Sequence, residues 1–137
     1  MEYNITIRGG RMNPYHIVVI DDEKAMEMLF NAFFDKELSR GEIKITYLEE
    51  PSNFFDILAE EDVRLVMSDI NMPIMNGYDF LDKIQEQKPD IPVYMISAYG
   101  GKDHIERAMQ KGATGFFVKP FDFDVIKTQI REQMKSV

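Results

Sequence analysis

The chain has 137 residues, of which 45% are hydrophobic and 29% charged, as expected for one globular domain with a full core. Its 24 acidic residues outnumber 16 basic ones, and the net charge of −8 argues against direct contact with nucleic acids. Cysteine is absent, which excludes disulfides and thiolate metal sites. The first residues lack a charged start followed by an apolar stretch, so we expect no secretory signal, and no apolar run reaches the roughly 18 residues that span a bilayer. We therefore expect a cytoplasmic protein without membrane insertion.

Residues 1–13 precede the first strong apolar run and are expected to be an N-terminal leader. Tyr3, Ile5 and Ile7 alternate with polar residues, so a short strand is the alternative. Gly9 and Gly10 then interrupt the pattern. Residues 14–137 are expected to form a single domain.

From Tyr15 onward, apolar runs typical of buried strands alternate with segments of helical periodicity. The predicted strands are residues 17–20, 43–47, 65–67, 93–96 and 116–118. Each of the five predicted helices carries an apolar stripe. In chain order, the stripes are Met26, Leu29, Phe30, Phe33 and Leu38; Phe54, Phe55 and Leu58; Tyr78, Leu81 and Ile84; Ile105, Ala108 and Met109; and Ile126, Ile130 and Met134.

Several residues mark where the predicted helices begin and end. Gly41 and Gly112 are expected to end the first and fourth helices. Asp103 and Glu106 have the spacing of a capping box, which predicts the start of the fourth helix. Asp122 is expected to cap the fifth helix.

Five alternating strand and helix units predict an α/β fold with a parallel sheet covered by helices on both faces. An eight-unit barrel needs roughly 250 residues, so the chain is too short to close one. The prediction is therefore a doubly wound open sheet. Such sheets bind ligands outside the carboxyl ends of their strands.

Reactive polar residues follow four of the five predicted strands. Asp21 and Asp22 follow the first strand, Asp69 the third, Ser97 the fourth and Lys119 the fifth. Three carboxylates at one sheet edge repel one another unless a cation compensates them. Oxygen ligands without histidine favour Mg²⁺, which retains positions for water and phosphate oxygens. The sequence thus predicts a magnesium and phosphoryl site.

Ordinary structural roles remain open for the same residues. Asp21 and Asp22 also suit the N-terminus of a helix that starts near residue 23. Lys119 at a strand end is commonly solvated, and Ser97 is a common turn residue. Pro120 allows a cis bond after Lys119, which would fix the direction of the lysine.

Four segments together carry a family resemblance: Ile20-Asp21-Asp22-Glu23, Ser68-Asp69-Ile70-Asn71-Met72-Pro73 with Asn76-Gly77, Ser97-Ala98, and Val118-Lys119-Pro120-Phe121. In this order and spacing, residues 15–135 resemble the receiver domain of two-component response regulators, in particular the single-domain chemotaxis type. The resemblance implies a flavodoxin-like strand order of 2-1-3-4-5. It also implies a regulatory protein whose only reactions are its own phosphorylation and dephosphorylation.

The resemblance further implies a role for each site residue. Asp69 would accept a phosphoryl group from a phosphohistidine of a sensor kinase or phosphotransfer protein. Asp22, Asp69 and the backbone carbonyl of Asn71 would bind Mg²⁺, and Asp21 would act through water. Lys119, Ser97 and Ala98 would bind the phosphoryl group.

The remaining implied roles concern switching and structure. Ser97 and Phe116 would form the switch, while Pro120 and Gly77 are structural; Gly77 most simply provides a permissive backbone. The change would be read out on the face formed by the fourth helix, fifth strand and fifth helix. That face would regulate a protein target or an output domain, with phosphorylation-dependent homodimerisation as a further implication. We expect no output domain within these 137 residues.

Other functions compete with this interpretation. A magnesium-dependent phosphohydrolase with an aspartate nucleophile usually needs a second acid two residues later, where this chain has Asn71. A dinucleotide-binding module needs a glycine-rich turn after the first strand, where this chain has Asp21 and Asp22. A receiver-like module that binds partners without phosphorylation is the main alternative.

Overall fold

The computed structural model describes residues 13–72 and 75–135. The expected leader except for Asn13 lies outside the described residues, including Tyr3, Ile5, Ile7 and the Gly9–Gly10 pair, as does Pro73. None of the helices in the described part of the chain is long and apolar enough to cross a bilayer.

Five parallel strands form one sheet in the spatial order β2-β1-β3-β4-β5. This order confirms the predicted doubly wound, flavodoxin-like sheet. The strands are β1 (Tyr15–Ile20), β2 (Ile43–Leu48), β3 (Val63–Asp69), β4 (Val93–Ser97) and β5 (Gly115–Val118).

Five main helices follow the five strands in turn. They are α1 (Ala25–Phe33), α2 (Phe54–Glu60), α3 (Gly77–Gln87), α4 (Lys102–Gln110) and α5 (Phe123–Lys135). A short helix, Asp35–Ser39, lies between α1 and β2, and a 3-10 turn, Pro51–Asn53, leads into α2. Short connections therefore return the chain to the sheet after each helix, as the alternating pattern predicted.

Each face of the sheet contributes to a separate hydrophobic cluster, because neighbouring strand residues point to opposite sides. Ile17 and Met67 belong to the cluster with α1 and α5, which includes Phe30 and Ile126. The opposite cluster joins the sheet to α2, α3 and α4, and its buried members include Val18, Val66, Met95, Phe54, Leu81, Ile84 and Ala108. The central strands are consequently buried on both faces, which explains their unbroken apolar runs.

Two of the predicted apolar stripes include residues that are exposed in the structure. Leu29 and Met109 are 48% and 45% exposed, because they lie at the margins of stripes whose buried members include Met26, Phe30 and Ala108. The first helix also ends earlier than its stripe. Leu38 lies on the short helix Asp35–Ser39 rather than on α1.

The two capping predictions had opposite outcomes. The Asp103 capping box is wrong, because α4 begins at Lys102 and its N-cap, Gly101, makes no side-chain capping bond. The cap at the start of α5 is confirmed. Asp122 Oδ1 accepts the backbone N–H of Asp124 at 3.0 Å.

Candidate functional site

Three carboxylates lie together at the carboxyl ends of β1 and β3. Asp21 and Asp22 directly follow β1, and Asp69 is the last residue of β3. One oxygen from each lies within 4.8 Å of the other two, although Asp21 and Asp69 are buried and Asp22 is exposed. They meet because β1 and β3 are adjacent, with Ile20 paired to Ser68.

The two buried carboxylates also stabilise the turns that follow their strands. Asp21 Oδ1 accepts the N–H of Glu23 at 2.9 Å, and Asp69 Oδ1 accepts the N–H of Asn71 at 2.9 Å. Asp21 therefore stabilises the turn after β1. The suggested role of Asp21 and Asp22 as caps of the first helix is wrong, because Lys24 is the N-cap residue of α1 and no side chain caps that helix.

Lys119, the residue after β5, extends its ammonium group into the carboxylate cluster. Its Nζ lies 2.8 Å from Asp21 Oδ2 and 3.5 Å from Asp69 Oδ2, and it also contacts Glu23 Oε1. The backbone N–H of Lys119 donates to the carbonyl of Ser97 at 2.8 Å, and the Lys119–Pro120 bond is cis. Lys119 is thus not a freely solvated surface lysine.

The contact between Lys119 and Glu23 was not predicted from the sequence. Glu23 was quoted only as part of a motif, and its side chain is 55% exposed. The two residues are 96 positions apart in the chain, so no local spacing indicates their contact. The signal that could have identified it is the position of Glu23 one residue beyond the acidic pair at the same sheet edge.

The site raises the pKa of both Asp69 and Lys119, which disfavours the charged form of the aspartate and favours that of the lysine. Burial raises the pKa of Asp69 above its usual value, and the Asn71 N–H and the Lys119 charge offset only part of that effect. Burial by itself lowers the pKa of Lys119, but its contacts with Asp21 and Glu23 outweigh burial, so the net pKa is raised. Lys119 therefore remains a cation at neutral pH.

Asp21 Oδ2 is a buried carboxylate oxygen with an incomplete set of partners. It lies 2.8 Å from Lys119 Nζ, yet it accepts no properly directed hydrogen bond. Asp21, Asp22 and Asp69 each contribute a carboxylate oxygen to an all-oxygen donor set, which suits Mg²⁺. The acidic group therefore fits the metal that the sequence suggested.

Ser97 and Phe116 occupy neighbouring strands on the other side of Asp69. Ser97 is buried at the end of β4, and its Oγ accepts the N–H of Tyr99 at 3.0 Å. Ala98, the next residue, is exposed. Phe116 pairs with Met95 across the two strands and packs, partly buried, against the core cluster under α4.

Gly77 lies directly against the segment that follows Asp69. Its N–H donates to the carbonyl of Ile70 at 2.8 Å. A Cβ atom at this position would lie 2.6 Å from Ile70 Cα, closer than such atoms approach one another. The glycine is therefore required by close packing of two backbone segments, rather than by an unusual backbone angle.

A surface cavity of about 440 Å³ lies elsewhere, at the amino ends of the strands. Tyr15, Arg64 and Asp90 are among the residues that line it, and it includes none of the three clustered carboxylates. This cavity therefore does not mark the carboxylate site. The carboxylate cluster and Lys119 identify the candidate site instead, because they place opposite charges where parallel strands end.

Comparison with known proteins agrees with this geometry. Residues 17–131 match the family model of the response regulator receiver domain. A chemotaxis protein CheY homolog of Campylobacter jejuni is 30% identical over 85% of this chain and 89% of its own length. Sporulation initiation phosphotransferase F of Bacillus subtilis is also 30% identical, over 86% of this chain and 92% of its own length.

Longer relatives and solved structures match as well. Response regulator protein FleR of Pseudomonas aeruginosa is 33% identical over 77% of this chain, which spans only 22% of FleR. The beryllofluoride-activated NtrC4 receiver domain dimer has a TM-score of 0.79 and 25% identity, covering 88% of this chain and 97% of its own. The non-phosphorylated HemR receiver domain of Leptospira biflexa shares the fold, with a TM-score of 0.74, 18% identity, and coverage of 87% and 93%. The chain belongs to the response regulator receiver domain family, a family of regulatory domains of two-component systems.

Proposed function

We propose that this receiver domain is a phosphorylation-activated switch and that Asp69 is its phosphoacceptor. The observation that carries the proposal is that Asp69 clusters with Asp21 and Asp22 and also lies 3.5 Å from the Lys119 ammonium. The phosphoryl group would come from a phosphohistidine of a sensor kinase or a histidine phosphotransfer protein. The protein would catalyse only its own phosphorylation from phosphodonors and its own dephosphorylation.

The residues that would hold Mg²⁺ are Asp22, Asp69 and the backbone carbonyl of Asn71, with Asp21 acting through water. The all-oxygen character of the cluster and the unmatched Asp21 Oδ2 support this assignment. When bound, Mg²⁺ would neutralise charge on the phosphoryl oxygens and on the carboxylates.

In the transfer step, a carboxylate oxygen of Asp69 would form a bond to phosphorus while the P–N bond of the phosphohistidine breaks. The released imidazole nitrogen retains the electron pair of that bond. Lys119, held as a cation at this edge, would pair with an equatorial phosphoryl oxygen. Ser97 Oγ and the backbone N–H of Ala98 would donate hydrogen bonds to the others.

Switching would begin at Ser97. Its hydroxyl oxygen accepts the Tyr99 N–H and its O–H can still donate, so a Ser97 drawn toward a phosphoryl group would carry the segment after β4 with it. Phe116, which is only partly buried, could then turn into the vacated space beneath α4. The change would be read out on the α4-β5-α5 face, where Met109 and Val118 are exposed.

Partners would bind two surfaces of the domain, the edge that carries the acidic cluster and the α4-β5-α5 face. A phosphohistidine donor would dock beside the acidic cluster, on α1 and the loop after Lys119, where Lys24 and Asp122 are exposed. A downstream protein target, an output domain or a second copy of the chain would bind the α4-β5-α5 face. The net charge of −8 supports protein partners over direct binding to nucleic acid. We place this exchange in the cytoplasm.

The proposal is tested by measuring intact mass after incubation with Mg²⁺ and acetyl phosphate. A gain of one phosphoryl group, lost in Asp69→Asn and in chelator, is the expected result. Folded protein without any gain would contradict the proposal and favour the receiver-like module that binds partners without phosphorylation. Lys24 and Asp122 variants that slow transfer from a cognate kinase but not from acetyl phosphate would support the docking surface.

A further inference from the structure

Lys119 is shared among three carboxylates, and its contact with Asp69 is the weakest of the three. The ammonium contacts Glu23 and lies 2.8 Å from Asp21, whereas Asp69 Oδ2 is 3.5 Å away, at the outer limit of a hydrogen bond. Lys119 is therefore displaced toward the carboxylates of residues 21 and 23 rather than toward the proposed phosphoacceptor.

Glu23 differs from the other two carboxylates in its relation to a bound cation. Asp21 and Asp69 belong to the acidic group that can hold a metal, but Glu23 does not. A divalent cation in that group would weaken the attraction of Asp21 and Asp69 for Lys119, since it compensates their charges directly. The Glu23 carboxylate would keep its attraction for Lys119.

Exposure makes this contact reversible. The Glu23 side chain is 55% exposed and the Lys119 side chain 16% exposed. A partly exposed ion pair is worth little in water, because solvent screens it and ordering two long side chains costs entropy. Lys119 can therefore leave Glu23 and pair with a phosphoryl group. The free energy lost with the Glu23 contact then offsets part of the free energy gained from the phosphoryl contact.

We infer that Glu23 is a positioning residue that competes with the incoming phosphoryl group for the ammonium of Lys119 and thereby slows phosphorylation of Asp69. The inference rests on the proposed function, since it concerns the step in which Lys119 binds the phosphoryl group. It assigns to this chain a built-in restraint on its own activation. The restraint acts through a residue outside the acidic group that can hold the metal.

The first test compares phosphorylation rates of Glu23→Gln and the wild type at saturating Mg²⁺ and acetyl phosphate. We expect the rate constant to rise about two- to fivefold in the variant, the range that a partly exposed ion pair supports. Glu27→Gln is the matched control, because it removes an exposed carboxylate in the first turn of α1 that is not among the three contacting Lys119. Equal rates in the two variants, or a slower Glu23→Gln protein, would overturn the inference.

Two further readouts separate competition from a general charge or folding effect. Glu23→Asp keeps the charge but withdraws it by one methylene, so its rate should lie between those of the wild type and Glu23→Gln. The Mg²⁺ concentration for half-maximal rate should change equally in Glu23→Gln and Glu27→Gln. If this Mg²⁺ concentration changed only in Glu23→Gln, Glu23 would act through the metal, and the inference would be wrong.

The contact itself is testable without metal or phosphodonor. In EDTA, urea unfolding of Glu23→Gln, Lys119→Met and the double variant should give non-additive changes, with a coupling of at least about twofold in the unfolding equilibrium constant. The changes in unfolding free energy caused by Glu27→Gln and Lys119→Met should be additive. Additivity for the Glu23 and Lys119 pair as well would overturn the inference. If the wild-type protein takes up no phosphoryl group, the proposed function fails first and the inference falls with it, which distinguishes the two failures.

Discussion

Gly77 and Asp69 lie so close that a Cβ atom on Gly77 would stand 2.9 Å from the carbonyl oxygen of Asp69. The first residue of α3 is therefore in direct backbone contact with the last residue of β3. The N–H of Tyr78 donates to Asn76 Oδ1 at 2.7 Å, which caps α3 at the same place. The helix start thus supports the strand end that carries the proposed phosphoacceptor.

This contact predicts that Gly77→Ala destabilises the fold and shifts the segment after Asp69. The added methyl group meets backbone atoms, which cannot rotate away, so we expect a loss of about 1–3 kcal/mol in the free energy of unfolding. Urea unfolding measures it. Gly41→Asn is the contrasting variant. Residue 41 has a φ of 72°, which asparagine tolerates, and a Cβ atom added there would meet nothing within 4 Å. A Gly77→Ala protein as stable as Gly41→Asn would contradict the close approach.

The fold and the location of the site were predictable because strand ends are marked in the sequence itself. Apolar runs that stop at Asp21, Asp69, Ser97 and Lys119 need only the parallel-sheet rule to bring those residues to one edge. The strand order came instead from the family resemblance. The contact of Lys119 with Glu23 was missed, because the parallel-sheet rule brings strand ends to one edge but does not say which side chains beyond those ends meet.

Helix starts were predicted less well because the capping interaction depends on a single backbone position. Asp122 has the right side chain at the right place. Asp103 does not, because α4 begins at Lys102, two residues earlier than a cap at Asp103 requires. A shift of two residues converts a cap into an exposed helical side chain.

Magnesium should stabilise the folded protein, because the carboxylate cluster exists only when β1 and β3 are paired. At a hundredfold excess over the dissociation constant, a native-state ligand adds about 2.7 kcal/mol to the free energy of unfolding. Urea unfolding in Mg²⁺ and in EDTA at equal ionic strength measures the difference.

Asp22→Asn should be more stable than the wild type in EDTA but should gain less stability from Mg²⁺. Without metal, removing one of three like charges relieves repulsion and should stabilise the protein by up to about 1 kcal/mol. With Mg²⁺, the variant should gain less than the wild type, since one proposed ligand is neutral. An equal gain from Mg²⁺ in both proteins would show that Asp22 is not a ligand.

An ion cluster around the buried Glu37 joins the short helix after α1 to α5. Glu37 Oε2 lies 2.9 Å from Lys127 Nζ and 2.8 Å from Arg131, whereas Glu37 Oε1 is buried without a hydrogen bond. Burial acts to raise the pKa of Glu37, but the bonds to Lys127 and Arg131 outweigh it and lower that pKa to about 2. The cluster fixes α5, one element of the proposed read-out face.

Glu37 should therefore stabilise the protein at neutral pH and lose that effect in acid. A carboxyl group with a depressed folded-state pKa contributes stability above its unfolded value of about 4.5, and the contribution disappears as the pH falls toward 2. Breaking a fully buried ion pair costs ~3–5 kcal/mol of unfolding free energy. Glu37→Gln should cost less than that at pH 7, because Arg131 is 58% exposed. Unfolding free energies at several pH values should converge for the two proteins between about pH 4.5 and 2. A constant difference would show that the Glu37 charge is not what stabilises the contact.

Protonation of His16 should change the stability of the protein at a higher pH than protonation of Glu37 does. Its ring is buried in β1, with Nε2 2.8 Å from Thr46 Oγ1 and Nδ1 3.6 Å from Glu61 Oε1. Burial, and then the nearby Lys44 charge, lower the pKa of His16 below its usual value of 6.5, while Glu61 and Asp62 oppose them. The unfolded chain thus binds a proton before the folded one does.

The free energy of unfolding should consequently fall as the pH is lowered through about 6.5, by at most ~1.4 kcal/mol per pH unit for one proton. His16→Gln should remove this contribution. Its two charged neighbours should act in opposite directions: Lys44→Met should lessen the fall, and Glu61→Gln should deepen it. Urea unfolding between pH 7.5 and 5.5 separates these effects from that of Glu37, whose window lies lower. If His16→Gln left the slope unchanged, the proton would be taken up elsewhere, and the buried ring at the start of β1 would have no part in acid sensitivity.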